Sequence, residues 1–156
     1  YVNLREIKEV KKKWPDRAIV ASIMVPCEEQ AWKRILPLVE ETGADGIELN
    51  FGCPHGMSER GMGSAVGQVP EYIEMVARWC KANTRMPVIV KLTPNITDIR
   101  YPARAAKSGG ADAVSLINTI SSITAVDLDT CSPEPTSALA RCNPSRRTTE
   151  SAWSSS

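Results

Sequence analysis

The sequence predicts an α/β fold built on parallel strands, and three observations carry that prediction. Segments with helical spacing alternate with short stretches rich in Val and Ile through residue 118. Those short stretches read as near-continuously apolar rather than alternating with period two, which points to a parallel sheet buried on both faces. Finally, Gly43-Ala44-Asp45-Gly46-Ile47-Glu48-Leu49-Asn50 is echoed by Gly110-Ala111-Asp112-Ala113-Val114-Ser115-Leu116-Ile117-Asn118. Each copy holds a helix cap, a tight turn, a strand and a terminal Asn. Repeated βα units suit a barrel; an open sheet of the flavodoxin type uses the same short repeats and stays open on pattern alone.

Taken in order, Leu4, Ile7, Val10 and Trp14 recur at helical spacing among Arg, Lys and Glu, predicting an amphipathic helix ended by Trp14-Pro15-Asp16. Ala18 to Met24 predicts a strand. Glu28 to Thr42 carries Ala31, Ile35, Leu38 and Val39 on one helical face and stops at Gly43. Gly46 to Asn50 is a short strand, residues 51–69 a Gly-rich loop, and Glu71 to Asn83 a helix through Ile73, Val76, Ala77 and Cys80. Pro87 to Leu92 is a strand, residues 97–108 a helix with Pro102 in its first turn, and Ala113 to Ile117 the next strand. From residue 129 to 156, seven Ser, four Thr and three Pro make up 14 of 28 residues without apolar periodicity, which predicts a disordered C-terminal tail. Four βα units are about half of a (β/α)8 barrel, which typically takes about 250 residues.

The chain has 156 residues, 42% hydrophobic and 24% charged, and its 19 Lys and Arg nearly balance 18 Asp and Glu. A net charge of +1 supplies no basic field for nucleic acid or anionic lipid. The longest apolar run, near Ala18 to Val25, is broken by Ser22 and closed by Pro26, short of the roughly 20 residues a membrane helix needs. Tyr1 is followed by charged helix-forming sequence without a secretory pattern, so the chain is expected to begin inside a longer one. Five cysteines, at 27, 53, 80, 131 and 142, show no C-x-x-C spacing. Reduced cytoplasmic thiols are the expectation.

In parallel α/β folds the strand C-termini carry the ligands. Asn50 ends the second strand, Lys91 lies near the end of the third, and Asn118-Thr119 ends the fourth. Lys91, set among Val88, Ile89, Val90 and Leu92, needs an anionic or polar partner: either an ion pair with a neighbouring helix or an electron-rich ligand at the mouth. The segment from Asn50 to Gly63 follows a strand end directly, and its glycines permit tight turns and close backbone approach to a ligand. Cys53 at its root can act as nucleophile, as proton donor, or as a small buried residue. His55, the only histidine, stands two residues on, but Pro54 stiffens the link and no acyl-transfer signature surrounds a Cys-His pair.

Asn50-Phe51-Gly52-Cys53-Pro54-His55-Gly56-Met57 with Glu59-Arg60-Gly61-Met62-Gly63 resembles the active loop of the dihydropyrimidine dehydrogenases. Lys91-Leu92-Thr93-Pro94-Asn95-Ile96-Thr97-Asp98-Ile99, then Ala105 to Asp112, then Asn118-Thr119, continue the likeness in register over residues 1–136. It is nearest to the bacterial NAD-dependent, flavin-bearing catalytic subunit. The wider group includes the dihydroorotate dehydrogenases, which place a Cys or Ser in this loop; the His-Gly-Met and Glu-Arg-Gly-Met-Gly elements favour the pyrimidine-reducing branch.

The resemblance implies an FMN-containing barrel that reduces uracil or thymine to the 5,6-dihydro base, with hydride passing from the flavin to C6. Cys53 would deliver the proton to C5. Asn50, Gly52, Asn118 and Thr119 would hold the pyrimidine, and Lys91 would contact FMN. It further implies NAD and iron-sulfur clusters in the complete enzyme, not bound by this chain, and a partner electron-transfer subunit carrying FAD, NAD and iron-sulfur sites. The family's earlier flavin and substrate segment would precede Tyr1, and its Gly-rich phosphate loops would follow Pro135. Residues 137–156 do not follow the family, as after a frameshift, an assembly error or a premature end. The expectation is therefore a partial TIM (β/α)8 barrel over 1–136 with a non-family tail over 137–156, in the cytoplasm. A dihydroorotate dehydrogenase and a non-catalytic truncated product are the alternatives.

Overall fold

The computed structural model describes residues 2–54, 61–120, 122, 126–129 and 132–133. The chain divides into two compact units, residues 1–118 and 119–156.

The first unit opens with helix α1 (Val2–Lys13), strand β1 (Val20–Ile23), helix α2 (Glu29–Glu40) and strand β2 (Gly46–Asn50). A single helical turn α3 (Ser64–Gly67), helix α4 (Pro70–Asn83), strand β3 (Val88–Lys91), helix α5 (Arg100–Ser108) and strand β4 (Ala113–Ser115) complete it. The strands form one sheet in the order β1-β2-β3-β4, every pair parallel. Chain order equals spatial order, as βα units laid side by side produce in a barrel. An α/β fold of successive βα units is therefore observed.

Two glycines with positive φ end the helices before β2 and β4: Gly43 at 80° and Gly110 at 87°. Pro70 opens α4, where its missing N–H costs nothing, and Pro102 lies in the first turn of α5, as expected. β4 is shorter than predicted. Leu92 N–H still reaches Ser115 O at 3.1 Å and Asn118 N–H reaches Leu92 O at 3.1 Å, so the chain stays beside β3 as far as Asn118 without a regular ladder.

The core corrects one reading of the sequence. Among the described residues the helices cover one face of the sheet: Ala21, Ile23, Ile47, Leu49, Val88 and Val90 pack under Trp32, Leu36, Val39, Ile73, Val76 and Ala106. The strand residues between them, Ser22, Glu48, Asn50, Ile89 and Lys91, are exposed or half-buried. Strands β1, β2 and β3 thus alternate with period two, and the polar members that interrupt their apolar runs share one face; β4 has no buried residue. In α2 the buried stripe is Trp32, Leu36 and Val39, with Ala31, Ile35 and Leu38 half-buried beside it. Trp32 sets that rotation by meeting Phe51 edge-on, with ring centroids 6.3 Å apart and planes at 81°. In α1, Leu4 and Ile7 touch the core while Val10 is exposed, and Trp14 lies exposed beyond the helix end.

In the second unit, β5 (Val126–Asp127) pairs antiparallel with β6 (Ser132–Pro133). The expected disorder from residue 129 onward is corrected at this point, because Ser132 and Pro133 are paired; the remainder of the predicted tail lies outside the described residues.

Candidate active site at the strand ends

The C-terminal ends of β2, β3 and β4 bring together most of the residues singled out from the sequence. Asn50, last in β2, is the register partner of Lys91, last in β3, and Lys91 is the partner of Ser115 in β4. Asn118 Nδ2 donates to Asn50 Oδ1 at 3.0 Å, and the same oxygen accepts Gly52 N–H at 3.3 Å. Gly52 is buried, and a β-carbon there would lie 2.4 Å from Asn118 Cβ, so only glycine lets the two amides meet. Thr119, next along the chain, begins the second unit.

Cys53 is half-buried at the root of the loop. Its carbonyl accepts Ser64 N–H at 3.1 Å, and Gly63, with φ of 57°, would drive a β-carbon to 2.6 Å from that carbonyl oxygen. The far side of the loop is tied down as well. Cys27 N–H reaches Gly61 O at 3.1 Å, Gln68 Nε2 reaches Asn95 O at 3.4 Å, and Asn95 N–H reaches Thr93 Oγ1 at 3.1 Å. Loops following β1, β2 and β3 are thereby joined around Cys53. His55, Glu59 and Arg60 lie outside the described residues.

Of the other two described thiols, Cys80 is fully buried and desolvation pushes it up to about 12; burial also raises Cys27. Both suit packing rather than chemistry.

Lys91 does pair with an acid, but not on a helix. Its Nζ donates to Glu48 Oε1 at 2.7 Å, across from β3 to β2. Ser22 Oγ donates to the same oxygen at 2.8 Å, and Ser115 adds a further hydrogen bond. Burial works to raise the Glu48 carboxyl, and the bonds from Lys91, Ser22 and Ser115, with the charge of Lys91, hold it below the usual range. The sequence reading missed Glu48 by taking β2 as uniformly apolar. The available signal was its position two residues before Asn50, hence on the same face.

This donor set fits a flavin ring: a half-buried ammonium beside an amide, at the strand ends, suits an electron-rich, partly anionic heterocycle. Among the described residues no group of His, Cys, Asp or Glu could hold a metal ion, and no helix is long and apolar enough to cross a membrane.

The model of the dihydroorotate dehydrogenase family matches residues 2–139. The chain belongs to that family. Among curated relatives, the chloroplastic dihydropyrimidine dehydrogenase (NADP(+)) of Arabidopsis thaliana is 46% identical over 132 residues, 85% of this chain and 31% of that protein. The NAD-dependent dihydropyrimidine dehydrogenase subunit PreA of Escherichia coli K12 is 46% identical over 127 residues, 81% of this chain and 30% of its own. The catalytic subunit of dihydroorotate dehydrogenase B (NAD(+)) from Methanocella arvoryzae is 48% identical over 88 residues, 56% of this chain and 28% of that protein. The chain thus spans under a third of each of these three relatives, and the longer matches support the resemblance to the dihydropyrimidine dehydrogenase branch read from the loop.

Proposed function

We propose that this chain forms the substrate-loop half of the barrel of an FMN-dependent oxidoreductase that reduces uracil or thymine to the 5,6-dihydro base. The observation that carries the reading is the Asn50–Asn118 amide pair, held at 3.0 Å beside the loop that roots Cys53. A pyrimidine ring presents alternating C=O and N–H groups, and paired carboxamides offer donor and acceptor together. Asn50, Gly52, Asn118 and Thr119 bind and orient the base. Lys91 holds the flavin side of the site, and Cys53 delivers a proton to C5 of the pyrimidine. A thiol suits that task because it releases a proton without placing a permanent charge in the pocket. FMN, when bound, supplies the hydride for C6.

In this reading electrons arrive from NADH, which leaves as NAD, through a partner subunit carrying FAD and iron-sulfur clusters, and the enzyme works in the cytoplasm. The names of the two longer matches, both dihydropyrimidine dehydrogenases, support the substrate class. A dihydroorotate dehydrogenase is the second reading, favoured by the 48% identity over 88 residues to one such subunit.

Two measurements on the complete enzyme test the proposal. Cys53→Ala should lower pyrimidine reduction by about 10² or more while bound flavin is retained, the loss expected for a general acid. Near-normal turnover would remove Cys53 from the chemistry. A panel of uracil, thymine and dihydroorotate separates the readings: turnover of dihydroorotate alone would overturn the first.

A further inference from the structure

A chain of polar side chains crosses all four strands of the sheet: Ser22 on β1 is in register with Glu48 on β2, and Lys91 on β3, two residues further along, is in register with Ser115 on β4. Glu48 is its hub. Its carboxylate takes the Lys91 ammonium at 2.7 Å and the Ser22 hydroxyl at 2.8 Å on a single oxygen, with Ser115 as a third partner. The side chains of Glu48 and Lys91 are 17% and 22% exposed, so water screens the pair only in part. These side chains lie on the face that the helices do not cover, with Asn50 directly beside Lys91 in register. A cation so placed is already matched by an anion before any ligand arrives.

We propose that Glu48 is a positioning and charge-balancing residue that acts through Lys91 and sets the reduction potential of the flavin, an inference that rests on the FMN reading above. Taking up two electrons and one proton leaves the isoalloxazine ring with one net negative charge. A lone Lys91 would favour that reduced form strongly; Glu48 offsets the cation and keeps the reduced ring from being held too tightly to pass its electrons on. The two hydroxyls fix the carboxylate so that the ammonium is neither drawn fully to the flavin nor released from it.

The sign of the effect separates this role from ordinary structural support. In the FMN-loaded complete enzyme, the midpoint potential is measured by anaerobic photoreduction against a reference dye. Glu48→Gln should raise it, shifting the ratio of affinities for reduced over oxidised FMN about tenfold, or about 30 mV for a two-electron couple. Lys91→Met should lower it by a similar amount. The double variant, with neither charge, should return close to the wild type, and Glu48→Asp should stay near it. A fall in Glu48→Gln alongside Lys91→Met, or no change while Lys91→Met falls, overturns the inference. Should Glu48→Gln not fold, the double variant still decides: a potential above that of Lys91→Met supports the role, and equality overturns it. A holoenzyme without flavin, or a Lys91→Met variant with an unaltered potential, overturns the placement of FMN beside Lys91 and the inference with it.

Discussion

A β-carbon added at Gly52 would meet Asn118 Cβ at 2.4 Å and its Nδ2 at 2.9 Å. The near end of that side chain cannot rotate out of the way, so Asn118 itself must move and its bond to Asn50 must break. Gly52→Ala is therefore expected to weaken pyrimidine binding by about tenfold in the complete enzyme, roughly the worth of one hydrogen bond to a positioned amide, with FMN content preserved. A substrate KM unchanged in that variant would show that the amide pair does not hold the base. Gly67 is a different case. A β-carbon there would sit 1.8 Å from Phe51 O, a backbone clash, so the glycine serves the fold and not the ligand. The sequence marked both positions as part of a Gly-rich loop; only the packing tells them apart.

Between residue and fold stands the repeated unit, and its two aspartates show what the internal echo builds. Asp45, just after Gly43, accepts Ile19 N–H at 2.8 Å and Lys11 Nζ at 2.8 Å. Asp112, just after Gly110, accepts Val88 N–H at 2.7 Å and Lys81 Nζ at 2.8 Å. Each thus ties the residue before a strand to the start of the neighbouring strand, at Ile19 just before β1 or at Val88 opening β3, and to a helix, at the end of the sheet opposite the site. The Lys hydrogen bond first, and the backbone N–H second, hold both carboxyls below their usual range. A carboxyl depressed in the folded state stabilises above its unfolded value near 4, and that contribution disappears as pH falls through the lower folded value. In the complete enzyme, Asp45→Asn and Asp112→Asn should each lower the midpoint of thermal unfolding at pH 7 and flatten its decline as pH falls below about 4. Parallel pH profiles for wild type and variants would remove the clamps as pH-dependent supports. Periodicity located each of these helices and strands to within a few residues. It misplaced the buried stripe of α2, because the Trp32–Phe51 contact that rotates the helix joins residues from separate elements.

At the scale of the whole chain, the sheet ends in β1 on one side and β4 on the other, each paired with a single neighbour among the described residues. Val114, Leu116 and Ile117 are 42%, 62% and 44% exposed beside the β4 edge. Unpaired edges and uncovered apolar groups at this density disfavour an isolated soluble unit. The 156-residue chain by itself is accordingly expected to be colourless after incubation with FMN and desalting, to show no cooperative melting transition, and to be inactive on uracil with NADH. A flavin band near stoichiometric level together with a sharp transition would show a competent unit, and the reading of a non-catalytic product would then fall.

The α/β class, the succession of βα units, the loop rooted by Cys53 and the strand ends at Asn50 and Lys91 were all legible in the sequence, whereas Asn118 lies three residues past the end of β4. Local spacing of apolar residues dictates secondary structure, and parallel strands of one sheet necessarily point their C-termini the same way. Tertiary structure alone decided which strand face the helices cover, that Lys91 answers to Glu48 on the adjacent strand, and that Gly52 makes room for Asn118. Those outcomes depend on register between strands 43 to 68 residues apart in the chain, a relation set by packing across the sheet and by no pattern within either segment.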